Sequence, residues 1–452
     1  MMRREIVQFF INWKERPNRK PLIVRGARQV GKTFAIEQFG KQYFTNYLKI
    51  NLEERLELHS IFKKNNTKTI IEDLSIVLNK DITPGKTLLF IDEIQSCPEA
   101  IITLRYFYEQ FPNLHVIAAG SLLDHTLKEI NFSMPVGRIE FCYMYPMSFK
   151  EFLWALSENK LVTYLENFKL ENEINEAVHI KLLEILRLYF FIGGMPEAVQ
   201  LYISQNKLIE IERTHANILT SLQHDFAKYG TRKQQEYLNL VLQYCAKNTG
   251  KKVKYVNVDH QSRSKYLKDA FNKLELSRLV HLIKHTNAKG IPITNNVKDE
   301  VFKPLFLDIG LSNHLGQIRL IEIPDIMTIN EGAIAEQFIG QELLTLPNAY
   351  IDSKLYYWVR EAKSTNAEID YLYQSKNTII PVEVKAGKTG SLKSLHVYLF
   401  EKKNKTGIRF NTDKPSIGTF KTKIRIGKST EEVSYKLISL PLYMCFILPK
   451  IK

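Results

Sequence analysis

Lys32 and Thr33 close the run GARQVGKT, Gly26 to Thr33, whose spacing G-x-x-x-x-G-K-T is that of a phosphate-binding loop. Gly26 and Gly31 let the backbone of Ala27, Arg28, Gln29 and Val30 curl around phosphate oxygens with its N–H groups pointing inward. Lys32 is then placed for the β- and γ-phosphates of ATP and Thr33 for a Mg²⁺ ion, while the N-terminus of the following helix adds positive potential. A second run, TLLFIDEIQ at Thr87–Gln95, ends an apolar strand in two carboxylates. Asp92 is expected in the Mg²⁺ shell. Glu93 is expected to polarise an attacking water, a task that belongs to hydrolysis rather than to binding alone. Ser121, at the end of the apolar run LHVIAAGSLL, is expected to orient that water or touch the γ-phosphate; a plain turn residue is the other reading. Arg138 in MPVGRIEF is a candidate arginine finger, in cis or from a neighbouring subunit, or else a surface ion-pair partner.

A second set of residues points to different chemistry. The run IIPVEVKAG is preceded by EIDYLY, and strand periodicity places Glu383 and Lys385 on one face with Asp370 in the strand before. With Glu336 from an upstream helix, these carboxylates would suit Mg²⁺ or Mn²⁺, and Lys385 would orient water or stabilise phosphate charge. That is the pattern of a metal-dependent phosphodiesterase, with Asp370 and Glu383 as metal ligands. The bland reading is the polar edge of a sheet.

These residues need elements to hold them. Strands at Leu22–Val24, Tyr47–Asn51, Thr87 onward, Leu114 onward and Ile139–Tyr143 alternate with helical stretches, which predicts an α/β fold with a parallel sheet and nucleotide at the strand C-termini. From Ser148 the pattern turns helical, SFKEFLWAL opening on a capping serine. Gly193 and Gly194 followed by Pro196 read as a structural turn. Tyr266, Leu267, Ala270, Phe271 and Leu274 make a helical stripe, and SRLVHLIKH and KPLFLDIGL make a hairpin after it, the order of a winged helix. Arg263, Lys265 and Lys268 would face a DNA groove from the start of that helix. The helix Asn330–Leu344 is read as amphipathic, with Ala333, Ile334, Phe338 and Leu343 inward, and Leu437–Leu448 as a buried strand. The expected domains are an ATPase domain at 1–147, a helical lid at 148–230, a winged-helix-like domain at 231–325 and a small α/β restriction-endonuclease-like domain at 326–452.

Bulk properties narrow the partners. The chain has 452 residues, 44% hydrophobic and 25% charged, an ordinary balance for a globular protein. No apolar run reaches the ~18 residues that span a bilayer, and the N-terminus lacks a signal-peptide pattern, so no membrane partner and a cytoplasmic location are expected. Cys97, Cys142, Cys245 and Cys445 lie far apart, which argues against a zinc site or a disulfide framework. The net charge of +15 is unevenly placed: Cys245–Gly290 carries +8 and Ala386–Thr430 carries +9, leaving −2 for the rest. Two basic segments on a balanced protein suggest contact with a polyanion, most naturally DNA; a solvated lysine-rich surface is the alternative.

Over most of its length the chain resembles a family of uncharacterised prokaryotic AAA-type ATPases with a C-terminal domain of unknown function. The resemblance is carried by GARQVGKT, LLFIDEIQ, AAGSLL, GRIEF…YPMSFKEFL, GGMPEAV, LFLDIGL, GAIAEQFIGQEL and EID…PVEVKAG. It implies a nucleotide-dependent protein whose C-terminal part looks like the PD-(D/E)xK nuclease fold, with Glu336, Asp370, Glu383 and Lys385 in the nuclease positions. This chain departs from the pattern in having Ile369, not proline, before Asp370. Two functions are therefore expected as alternatives. One is Mg²⁺-dependent ATP hydrolysis coupled to DNA handling, extending to DNA cleavage by the C-terminal domain. The other is an ATP-driven switch that binds a protein partner through an inactive nuclease-like scaffold. An arginine finger supplied in trans would require oligomerisation.

Overall fold

The computed structural model describes residues 2–64, 66–121, 123, 137–318, 331–360, 367–385, 392–426 and 429–451. The chain divides into two compact units. The first is Met1–Pro146 with Leu276–Arg278 and Asn348–Asp352; the second holds the remainder from Met147 to Lys452.

The first unit is built on five strands: β1 (Leu22–Arg25), β2 (Asn46–Asn51), β3 (Thr87–Asp92), β4 (His115–Ala119) and β5 (Glu140–Tyr143), in the order β2-β3-β4-β1-β5. All neighbouring pairs are parallel, as expected from the alternation of strands and helices. Every residue of β3 and β4 is buried, which is why both read as unbroken apolar runs: their sheet is covered on both faces. β1 lies between β4 and β5, so the loop that follows β1 opens where the strand order reverses, the place where such sheets bind ligands. Ile23, Leu89, Ile91, Val116 and Ala118 from the sheet pack with Ile101, Leu104 and Phe107 of the helix Pro98–Gln110.

The second unit contains two sheets. One has the order β7-β6-β8-β9, from Val297–Phe306, Val280–Thr286, Tyr356–Val359 and Glu368–Ile369. The other has the order β10-β11-β12-β14-β13, from Tyr371–Ser375, Thr378–Val384, Thr406–Asn411, Ser429–Pro441 and Ser416–Ile426. The helix Ser264–Leu276 and the antiparallel hairpin β6–β7 occur in the expected order. The hairpin is not a free wing, however. β6 pairs in parallel with β8 through Lys284↔Tyr356 and His285↔Tyr357, so hydrogen bonds cross the domain boundary expected at 325/326. Two further readings are corrected. In KPLFLDIGL only the first part is strand, because Asp308 caps a new helix, Ile309–Leu315, through the Leu311 N–H (3.1 Å). The run from Leu437 stays in β14 only to Pro441 and continues as a buried 3-10 helix, Leu442–Lys450.

The helix Glu331–Thr345 is buried almost all round rather than amphipathic, and its polar residues serve the backbone of neighbouring segments. Gln337 spans both backbone groups of Phe306, accepting from its N–H (3.0 Å) and donating to its carbonyl (2.8 Å). Gln341 accepts from the Ile309 N–H (2.9 Å), and fully buried Glu342 accepts from the Phe149 N–H (2.8 Å). Phe338 stacks edge-on against Phe149 and Tyr189 at 6.1 and 5.8 Å. Asp308 in turn accepts from the Gly194 N–H (2.6 Å), and a Cβ on Gly193, at φ +73°, would strike its carboxylate. GGMPEAV, LFLDIGL and GAIAEQFIGQEL thus meet at one buried polar junction.

Burial raises the Asp308 carboxyl from 3.8 to about 6, against the pull of the Gly194, Leu311 and Gly310 N–H groups. A raised carboxyl binds its proton more tightly when folded, so stability is lost as pH rises through 6 and regained as pH falls toward 4. Between about pH 7.5 and 4.5 the gain is on the order of 2 kcal/mol, and Asp308→Asn should remove it. Urea titrations of wild type and variant at both pH values check this; midpoints that move in parallel would contradict it.

Candidate functional sites

The loop after β1 is held open for an anion. Gly31 precedes the helix Lys32–Tyr43 at φ +90°, a left-handed conformation suited to glycine. A Cβ on Gly26 would run into the Met144 carbonyl. Lys32 is buried and donates to the carbonyls of Gly26 (2.9 Å) and Ala27 (2.8 Å). Burial lowers its ammonium to about 8, although Glu93 and Asp92 push it back up. Thr33 Oγ1 donates to Asp92 Oδ2 at 3.0 Å, bringing together the hydroxyl and carboxylate expected to serve the Mg²⁺. Burial also raises the Asp92 carboxyl, with the Thr33 hydrogen bond pulling the other way.

Glu93 follows β3 in the left-handed region, φ +49°, which turns its side chain away from the strand. Its Oε2 accepts from Gln95 Nε2 at 2.5 Å and from Ser121 Oγ at 3.5 Å. Ser121 therefore touches the proposed base itself. Gln95 was not singled out in the sequence, though its place two residues after Glu93 in the same motif was the available signal. Gly120 leaves room for it: a Cβ there would strike the Gln95 amide oxygen.

Two arginines were not foreseen. Buried Arg4 donates to the carbonyls of Val30 (2.8 Å) and Tyr145 (2.7 Å), tying the phosphate loop to the end of β5. Arg278 stacks over Tyr143 at 4.8 Å, pairs with Asp352 at 2.9 Å, and acts electrostatically on Lys32. Arg138 lies elsewhere. It pairs with Glu109 (2.9 Å) and precedes β5, at the strand end opposite the loop. Some six residues of strand rise separate it from Gly26, roughly 20 Å, so the cis role is excluded and the trans role stays open.

In the second unit Asp370 sits where the chain leaves β9 and enters β10, changing sheets. Its Oδ2 accepts from the Val384 N–H at 2.8 Å, which fixes it beside β11. Glu383 Oε1 pairs with Lys385 Nζ at 2.6 Å, confirming that the two share a face. Glu336 comes in from the helix Glu331–Thr345, anchored where Tyr371 Oη donates to its backbone carbonyl (2.7 Å). Burial, then Asp370, raises the Glu383 carboxyl to about 7 and the Glu336 carboxyl well above its usual range. All four expected residues are brought together, with two more that the sequence did not suggest: Lys303 from β7 and Glu368 from β9, which form an ion pair. Glu368, Glu383 and Asp370 are engaged by Lys303, Lys385 and the Val384 N–H, and among the described residues no group of three or more His, Cys, Asp or Glu is placed to hold one metal ion. The four cysteines are all buried and free. Among the described residues no helix is long and apolar enough to cross a membrane.

Residues 18–153 match the family described as AAA domain, residues 183–321 Domain of unknown function (DUF8612), and residues 331–441 Domain of unknown function (DUF4143). No curated protein matches the chain at a significant level. Similar solved structures include the Aeropyrum pernix ORC2 protein, 11% identical, with 69% of this chain and 90% of that one covered and a TM-score of 0.36. The Thermotoga maritima RuvB Holliday junction branch migration motor is 13% identical, with 66% and 93% covered and a TM-score of 0.30. DnaA from Aquifex aeolicus is 13% identical, with 60% and 86% covered and a TM-score of 0.28. The N-terminal domain is an AAA-type P-loop ATPase domain.

If Ser121 and Gln95 act by positioning Glu93, Ser121→Ala and Gln95→Ala should each lower kcat for ATP by roughly tenfold to a hundredfold. KM for ATP should stay within about threefold. Steady-state ATPase assays separate the two, and a rise in KM with unchanged kcat would contradict the assignment.

Proposed function

We propose that the chain hydrolyses ATP with Mg²⁺ at the first site and uses the second unit to hold DNA. The observation that carries the hydrolytic part is the Glu93 carboxylate, aimed by Ser121 and Gln95 beside the Thr33–Asp92 pair. N–H groups of Ala27 to Gly31 would cradle the phosphates. Lys32, now resting on two loop carbonyls, would exchange them for phosphate oxygens, which restores its ordinary basicity. The 3.0 Å approach of Thr33 hydroxyl to Asp92 carboxylate fits a divalent cation, which when bound neutralises charge developing on the β- and γ-phosphates. Glu93 would then take the proton of the attacking water. Arg138 of one subunit, reaching a neighbour's nucleotide, would add positive charge in an assembly.

The DNA part rests on charge and exposure. Arg263, Lys265 and Lys268 are exposed at the start of the helix Ser264–Leu276, and Lys251, Lys252 and Lys254 are exposed just before it. Tyr266, 43% exposed, stacks on Tyr237 with the rings 5.5 Å apart, an aromatic face beside those cations. Such a surface suits phosphate contact with stacking. The proposed role of this unit is to bind DNA, not to cut it, because Glu368, Glu383 and Asp370 are engaged by Lys303, Lys385 and the Val384 N–H.

DNA should stimulate ATP turnover severalfold at low salt, and Arg263→Ala with Lys265→Ala should weaken DNA binding and flatten its log–log salt slope by about one per removed contact. ATPase rates with and without duplex and single-stranded DNA, and titrations at several salt concentrations, check this. Turnover indifferent to DNA, together with nucleotide-dependent capture of a specific protein, would favour the switch that acts on a protein partner.

A further inference from the structure

Lys303 is an unusual residue for its position. It lies mid-way along the buried half of β7, flanked by Phe302, Pro304 and Leu305, and is only 1% exposed. An unpaired ammonium there would be costly, and three acidic groups answer it. Its Nζ pairs with Glu368 after passing 4.9 Å over the ring of Tyr357, and it acts electrostatically on Glu336 and Asp370. Desolvation alone would make it a weaker base, but Glu336, Asp370 and Glu368 together outweigh that and hold it charged. Lys385 pairs with Glu383.

We infer that the Lys303 ammonium is the resident cation of this acidic pocket, occupying by a covalent tether the electrostatic role that a divalent ion would take among Glu336, Asp370 and Glu383. A lysine ammonium is a compact point charge with three donors, and its four-carbon stem lets it reach the pocket from the hydrophobic side. Glu383 Oε2, which has no partner among the described residues and belongs to a side chain only 3% exposed, is the acceptor left over. An added divalent cation at that oxygen finds repulsion from Lys303 and Lys385 as well as attraction from the carboxylates. Gly250 matters to the packing: a Cβ there would strike the Glu336 carboxylate and push it from the cluster. The inference concerns only the second unit and stands whether or not the ATPase reading holds.

The test uses the full chain without nucleotide and Mn²⁺ as the probe, followed by electron paramagnetic resonance of the free ion and by thermal melting. Wild type should take up no Mn²⁺ that depends on Glu383, so Glu383→Gln and wild type should bind the ion alike, and the ion should shift their two melting temperatures by the same amount. Lys303→Met, which keeps the stem and removes the charge, should gain one Mn²⁺ site at least tenfold tighter than anything in wild type. It should melt several degrees higher with Mn²⁺ than without, and Glu383→Gln added to it should abolish both effects. Stoichiometric Mn²⁺ binding by wild type that Glu383→Gln or Asp370→Asn removes would overturn the inference. So would a folded Lys303→Met that gains no site. Should Lys303→Met fail to fold even with Mn²⁺, the comparison of wild type with Glu383→Gln decides alone, on the same criterion.

Discussion

Charge buried away from water must be met by other charge or by hydrogen bonds, and both sites of this protein are organised by that constraint. In the first unit Lys32 and Asp92 are each buried in the fold of the phosphate loop and its neighbouring strand. Without nucleotide, Lys32 is satisfied by two carbonyls of its own loop and Asp92 by Thr33 and by Lys49 at 3.5 Å. In the proposed reading these partners are stand-ins: phosphate and a divalent cation would offer the same groups stronger interactions in the same low-dielectric place, and the protein would only release bonds it already makes.

The second unit meets the constraint the other way. There Glu368 pairs with Lys303 and Glu383 with Lys385, Asp370 takes the Val384 N–H, and burial pushes the carboxyls of Glu336 and Glu383 up toward the neutral form. The same economy governs the junction around Asp308 and the helix Glu331–Thr345, where side-chain amides and carboxylates close backbone groups of Phe306, Ile309, Gly194 and Phe149. Buried polar networks of this kind specify one arrangement because each lost partner leaves a group unpaired. They give GGMPEAV, LFLDIGL and GAIAEQFIGQEL a part in holding elements together.

The first unit was legible because its signals are contiguous. A phosphate loop, a strand ending in Asp92–Glu93 and the run ending in Ser121 each declare themselves within a few residues, and the apolar strands around them allow only a parallel sheet. What escaped depends on partners distant in sequence. Arg4 reads as part of a charged N-terminus until its guanidinium is seen on the carbonyls of Val30 and Tyr145. Lys303 reads as the polar start of a hairpin strand, because nothing local reveals that Glu368 and Asp370 fold over to meet it. Asp308 looked like a strand residue because an apolar run before it hides the cap that ends the strand. The expected hairpin of β6 and β7 is present, but its pairing with β8 was not foreseen, since alternation predicts which face of a strand is buried and not which strand pairs beyond it.

The central claim is that nucleotide state and DNA binding are linked, and linkage is reciprocal by thermodynamic necessity. The most direct test is the affinity of labelled duplex DNA, by fluorescence anisotropy, for the Glu93→Gln protein held with ATP against the same protein with ADP. The account predicts affinities that differ by about tenfold or more at low salt, a coupling of about 1.4 kcal/mol. Equal affinity in both states, or no DNA binding in either, would contradict it.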